Sequence, residues 1–240
     1  MQSKTAELLL DLNRQFYQTF ALQFTQTRPR LQPGVQRILP DLLQAGSILD
    51  LGCGSGELAR QLAAHQYRGL YLGMDSSTQM LDEARSKLPN DLNARFFQAN
   101  LADSGWEATL AEGYFERILA FAVLHHLPEA TLRLKILQRI RKHLTETGRF
   151  ILSNWQFLNS PRLRSRLQPW ERVGLHSEDV DEGDYLLDWR HGGMGLRYVH
   201  HFQSDELANL AASSSFSVEE TFWSDGENGR LGLYQVWKPV

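Results

Sequence analysis

Residues 47–56 read Ser47-Ile48-Leu49-Asp50-Leu51-Gly52-Cys53-Gly54-Ser55-Gly56. A short apolar run that stops at a cluster of glycines predicts a buried strand ending in a tight turn. Helical spacing resumes at Leu58, Leu62 and Ala63. The glycines therefore lie between a strand and a helix, where they let the backbone turn sharply and pass close to a ligand. A dinucleotide site wants G-x-G-x-x-G, but here the spacing is G-x-G-x-G, with Glu57 where the later glycine would fall. Asp50, two residues before Gly52, would repel a pyrophosphate; it suits a ligand carrying an ammonium and a carboxylate. A nicotinamide-dependent oxidoreductase or a non-catalytic nucleotide-binding module is thereby disfavoured. Cys53 reads as a small residue that fits the turn.

The same alternation extends on both sides of this loop. Further strands are predicted at Gly69–Asp75, Ala94–Ala99, Phe115–Phe121 and Arg149–Ser153. A helix runs near 77–87. Another begins at Pro128, with Leu132, Ile136, Leu137, Ile140 and Leu144 as its stripe and Gly148 as its close. Upstream, Leu8, Leu9, Leu12, Phe16, Phe20 and Phe24 fall at helical spacing, and 34–44 reads as a second short helix. Strands alternating with helices predict an α/β, doubly wound, parallel sheet covered on both faces. Residues 159–195 read as irregular, basic first and then acidic. A helix near 204–213 precedes strands at about 216–224 and 231–238, and the short link Asp225–Gly229 makes them an antiparallel hairpin. The expectation is one domain with a mostly parallel seven-stranded sheet. Residues 1–46 form a helical lid, 47–155 the cofactor core, 156–203 a substrate-side insertion and 204–240 the terminal helix and hairpin.

The 240 residues suit a single α/β domain, and 42% hydrophobic with 22% charged residues is globular composition. A net charge of −3 argues against a surface that grips nucleic acid all over, and no DNA partner is expected. No apolar stretch approaches the ~20 residues of a membrane span. The apolar start Leu8-Leu9-Leu10 is too short for a signal peptide. The single cysteine excludes an internal disulfide framework and fits a reducing, cytoplasmic compartment. With one cysteine and no H-x₃-H spacing, the pairs His125-His126 and His200-His201 are not read as a metal site.

Asp75 ends the second strand, where an acid can accept both ribose hydroxyls of a nucleoside. Asn100 ends the third and offers donor and acceptor to an adenine edge. The series ILDLGCGSG, GMDSS, QANL and AFAVLHHL, in this order over about residues 47–155, resembles the class I S-adenosylmethionine-dependent methyltransferases. The resemblance implies a Rossmann-like fold and S-adenosylmethionine as cofactor. It places the methionine part on Asp50, Gly52 and Gly54, the ribose on Asp75 and the adenine on Asn100, where the family often has an acid. Tyr17, Cys53, Gly56, Ser76, Met80, Leu101 and Phe121 complete the expected cofactor contacts.

A narrower resemblance rests on short islands. They are Tyr17, Phe24–Arg28, Phe121–Leu127, Gly183–Trp189, Arg197–Phe202 and Glu206-Leu207. These are similar to the tRNA wobble-uridine carboxymethyl methyltransferases, which esterify 5-carboxymethyluridine. Asp188 stands where that family has proline, and His201 intrudes beside His200. The resemblance implies tRNA as substrate; eukaryotic members also work with a small activator subunit. A small metabolite methylated on oxygen or nitrogen is the alternative. A carboxylate acceptor is already ionised at pH 7 and needs only cations or donors to place it. Arg28 first, Arg197 second, then His125, His126 and His200 are the candidates. An amine or hydroxyl acceptor would need a base, a role open to His125 or His126. Arg162, Arg164, Arg166 and Arg172 around Trp170 could meet RNA, although the acids at 178–184 would repel it on the same face.

Overall fold

A computed structural model describes residues 1–26, 30–89, 92–110 and 113–240. The chain opens with α1 (Ser3–Gln26) and α2 (Pro33–Leu42). The alternating core follows as β1 (Ser47–Leu51), α3 (Glu57–Ala64), β2 (Leu70–Asp75), α4 (Thr78–Lys87), β3 (Ala94–Gln98), β4 (Phe115–Phe121), α5 (Ala130–Lys142) and β5 (Leu144–Trp155). The remainder is α6 (Pro161–Arg164), β6 (Leu167–Gln168), β7 (Asp184–Trp189), β8 (Gly195–His200), α7 (Ser204–Ser213), β9 (Phe216–Ser224) and β10 (Gly232–Pro239). Seven strands make one sheet in the order β3-β2-β1-β4-β5-β10-β9. β3, β2, β1, β4 and β5 run parallel; β10 is antiparallel to both β5 and β9. This is the doubly wound, mostly parallel sheet with a terminal antiparallel hairpin that the alternation predicts.

Strand periodicity sorts the core into two layers. Leu49, Leu51, Ile118, Phe150 and Leu152 pack under α5 and α7. Ile48, Tyr71, Leu119 and Ile151 pack on the opposite face, under α2 and α3. In α2 the buried Val35, Ile38, Leu39 and Leu42 form one helical stripe.

Two expectations need correction. Leu144 is not on the stripe of α5. That helix stops at Lys142, its last turn carrying Arg139, Arg141 and Lys142 against the helix dipole, and Leu144 pairs with Phe115 as the first residue of β5. Gly148 accordingly lies inside β5 and closes no helix. Residues 159–195 are not irregular. They contain a second, antiparallel sheet of three strands, β6-β7-β8, in which Leu187 faces Arg197 and Asp184 faces His200.

The N-terminal helix lies against that second sheet. Asn13, buried on α1, donates to the carbonyls of His126 and Tyr198, at 3.1 Å each, and accepts from the Tyr198 amide at 2.9 Å. One side chain thus ties α1 both to β8 and to the turn after β4. α1 bends at Phe20, which has non-helical backbone angles and packs with Phe16 against Trp189.

Candidate active site

The C-terminal ends of the parallel strands open into a cavity of about 820 Å³. α1 closes it from above through Leu10, Asn13 and Tyr17, and the start of α2 and the β9–β10 link border it through Val35 and Asp225. The glycine loop forms its floor. Gly52 and Cys53 donate from their amides to the Met74 carbonyl at 2.7 and 2.9 Å, which fixes the turn to β2. Gly52 has φ +73°, and a Cβ there would stand 2.5 Å from Val123 Cγ2. Gly54, at φ +55°, meets nothing within 4 Å of its Cβ position and leaves the cavity open. Gly56 does not line the cavity; its left-handed backbone starts α3, and a Cβ would collide with Ala84 at 2.8 Å.

Asp50 reaches the cavity but is almost closed to solvent, and its Oδ2 accepts from the Tyr71 hydroxyl at 2.6 Å. Burial pushes its carboxyl up to about 7; the Tyr71 hydrogen bond opposes that shift and the neighbouring Asp75 charge adds to it. Asp75 accepts from the Gly54 amide on one oxygen and the Ser77 amide on the other, both at 2.9 Å. Its carboxyl is also raised by burial, with those backbone donors pulling it back. Ser77 itself caps α4 by accepting from the Met80 amide. Burial pushes the Cys53 thiol well above its ordinary value, so it is an unreactive wall of the floor.

Ser76, Met80, Asn100, Leu101 and Phe121 all line the cavity. The Asn100 amide is occupied within its own turn, donating to Asp103 and accepting from the Ala102 amide. The open glycine cradle, the buried acid beside it and the half-buried Asp75 suit a ligand with an ammonium at one end and a nucleoside at the other.

The far end of the cavity is built by the turn after β4, the end of β5 and β8. His125 and His126 both line it, with ring centroids 4.3 Å apart. His125 is buried and its Nδ1 accepts from the Trp155 amide at 3.3 Å. The His126 Nδ1 faces the Tyr198 carbonyl at 3.4 Å, so in the neutral ring that nitrogen carries the proton. Its Nε2 then accepts from the Tyr17 hydroxyl at 2.7 Å.

Arg197 also lines the cavity, 4% exposed. Its guanidinium carbon sits 4.6 Å from the Trp155 ring centre, 5.3 Å from Phe16 and 5.7 Å from Trp189. Its Nε has no hydrogen-bond partner among the described residues. Burial pulls the guanidinium below its ordinary value; the hydrogen-bonded Tyr17 hydroxyl opposes this, and Arg166 adds to it. Among the described residues, no carboxylate offsets that buried charge.

His200 is not brought to the cavity. Successive residues of a strand face opposite ways, so Arg197 and His200, three apart on β8, point to different sides. The His200 ring instead lies between Asp184 at 2.6 Å and Glu206 at 3.0 Å, with Arg133 on the far side of Glu206. Arg28 and the neighbouring Thr27 and Pro29 lie outside the described residues. Arg162 and Arg164 are exposed on α6, Arg166 is half-buried and Arg172 donates to Gln168. Among the described residues no three His, Cys, Asp or Glu side chains gather as a metal site, and no helix is long and apolar enough to cross a membrane.

Sequence spacing missed Asn13, Asn154, Trp155 and Tyr234, all of which line the cavity. Trp155 follows the predicted end of the fifth strand, and the longer β5 carries both Asn154 and Trp155 into the cleft.

A glycine-cradled cleft at the carboxyl ends of a seven-stranded sheet with this strand order defines an S-adenosylmethionine-dependent methyltransferase. The methyltransferase domain family matches residues 24–221, and the chain belongs to that family. The tRNA (carboxymethyluridine(34)-5-O)-methyltransferase of Mus musculus is 27% identical over 86% of this chain and 26% of its own length. Its Schizosaccharomyces pombe namesake is 23% identical over 86% of this chain and 89% of its own. The trans-aconitate 2-methyltransferase of Deinococcus radiodurans is 32% identical over 52% of this chain and 44% of its own length. The chain thus spans about a quarter of the mouse enzyme and under half of the Deinococcus one. Among solved structures, a methyltransferase from Methanosarcina mazei superposes with a TM-score of 0.65 at 20% identity, covering 88% of this chain and 99% of that one. The nicotinamide and non-catalytic alternatives give way to this assignment.

Proposed function

We propose that this methyltransferase forms a methyl ester on a carboxylate, and that the acid is 5-carboxymethyluridine at the wobble position of tRNA. The observation that carries the reading is Arg197, a buried guanidinium at the cavity with no carboxylate among the described residues to offset it. Leaving a charge buried and unpaired is costly, so the site is complete only when an anion enters. The Tyr17 hydroxyl, donating to His126, keeps its lone pairs for the guanidinium and fixes its direction. Aromatic rings around the group exclude water, which strengthens the grip on a carboxylate.

S-adenosylmethionine, when bound, supplies an electrophilic methyl group. Gly54, Asp50 and Asp75 would hold it on the floor, while Arg197 positions the acceptor oxygen. An ionised carboxylate needs no base, and the hydrogen-bonded His126 acts as a positioning group. Fixing acceptor and donor in a near-attack arrangement can supply about 7–11 kcal/mol of the barrier. The tRNA enzymes support the nucleoside reading because they match most of this chain, the second sheet included. The trans-aconitate enzyme matches about half, and favours the wider statement that the acceptor is an acid.

The test uses cofactor labelled in the methyl group with bulk tRNA. Mild alkali should release the label as volatile methanol, as it does from an ester; label that survives alkali would place the methyl on nitrogen or an ether oxygen. Arg197→Lys should leave cofactor affinity within about twofold and cut single-turnover methyl transfer at least roughly tenfold, a cost of about 1.4 kcal/mol.

A further inference from the structure

Among the described residues whose buried side-chain polar atoms lack a hydrogen-bond partner, two line the cavity. They are Arg197 and Asn154. Asn154 is 1% exposed, and both its Oδ1 and its Nδ2 are buried without a partner; no other described residue has two such buried atoms. Its place on β5 sharpens the anomaly. It continues the face of Phe150 and Leu152, which belong to an apolar layer, where strand periodicity calls for an apolar side chain. The next residue, Trp155, carries the ring that lies over the Arg197 guanidinium, and its amide donates to His125. Both unmet polar groups thus belong to residues that line one cavity.

We propose that Asn154 is a specificity-determining residue that pairs with an amide or imide edge on the acceptor whose carboxylate Arg197 holds. This rests on the carboxylate reading. A carboxamide presents an acceptor and a donor side by side in one plane. A second carboxylate would satisfy Nδ2 but set its own lone pairs against Oδ1. An apolar group would leave both atoms unmet. A –CO–NH– edge, such as that of a pyrimidine imide, accepts from Nδ2 and donates to Oδ1 together. A site built to meet an N–H in this way discriminates strongly against an analogue that lacks it. Asn154 therefore selects an acidic nucleobase over a simple polycarboxylate.

The test compares two anticodon stem-loop RNAs, one carrying 5-carboxymethyluridine and the other its N3-methyl derivative, which has lost the imide proton. In the wild-type protein the N3-methyl RNA should show kcat/KM lower by at least roughly tenfold. In Asn154→Leu, an apolar residue of similar size, kcat/KM on the unblocked RNA should fall by at least about tenfold. The difference between the two RNAs should shrink to within about twofold, with cofactor affinity unchanged. Equal rates on both RNAs in the wild type overturn the inference without any variant, and discrimination that survives in Asn154→Leu overturns it too. If neither RNA is esterified but trans-aconitate is, the inference fails while the carboxylate reading stands; no ester on any of the three ends both.

Discussion

Asp50 sits where the glycine loop leaves β1, and its carboxyl titrates near 7 because burial disfavours its charge. A ligand ammonium placed against it favours the ionised form. Cofactor affinity should then fall by roughly tenfold per pH unit below about 7 and level off above it. Isothermal titration between pH 6 and 8 would read this directly, and Asp50→Asn should flatten the profile. A wild-type profile as flat as the variant's would mean that the ammonium lies elsewhere. At this scale the floor of the site was legible: Asp50, Gly52, Gly54 and Asp75 announce themselves by residue type and spacing. Asn154 was not, because its meaning comes from being buried without partners, which only the folded neighbours reveal.

Among elements, α1 is the cover of the cavity, and the buried Asn13 ties it down by hydrogen bonds beside the apolar contacts of Leu9, Phe16 and Phe20. Asn13→Ala would strand the Tyr198 amide and the His126 carbonyl, each buried polar group costing about 1–3 kcal/mol, while the Tyr198 carbonyl keeps the His126 Nδ1 donor. The expected outcome is a melting point lower by about 5–10 °C. Amide exchange should quicken along α1 while β1 and β4 stay protected. Unchanged exchange in α1 would show that Phe16 and Phe20 against Trp189 are enough to hold the helix. The alternating core was legible because each buried strand stops at a turn residue and each helix shows its stripe. β7 and β8 were not, because most positions on both faces of these strands are buried, so neither displays the polar alternation that marks a half-exposed strand. Leu144 misled for a related reason: four residues after Ile140, it fits a helical stripe as well as a strand start.

For the molecule as a whole, the small sheet and the large one meet at a buried charge network. His200 on β8 lies between Asp184 on β7 and Glu206 on α7, and Arg133 on α5 bonds Glu206 and the Leu127 carbonyl. Burial lowers the His200 pKa, but its two carboxylate partners outweigh that and raise it. A raised histidine contributes stability in full below its ordinary value of about 6.5 and loses it as pH rises through the folded value. The melting-point gap between wild type and His200→Gln should therefore be larger at pH 6 than at pH 9. A gap that does not change with pH would mean the ring is held neutral. The order of the large sheet has a further consequence for biosynthesis. β10 leaves the ribosome after β1–β9, yet it lies between β5 and β9, with Leu233, Tyr234 and Trp237 in the core. Until it emerges, β5 presents an open, apolar edge, the kind of edge to which another chain can add. The nascent chain must therefore wait, with its cofactor floor already encoded, for residues 232–239 to seal the sheet.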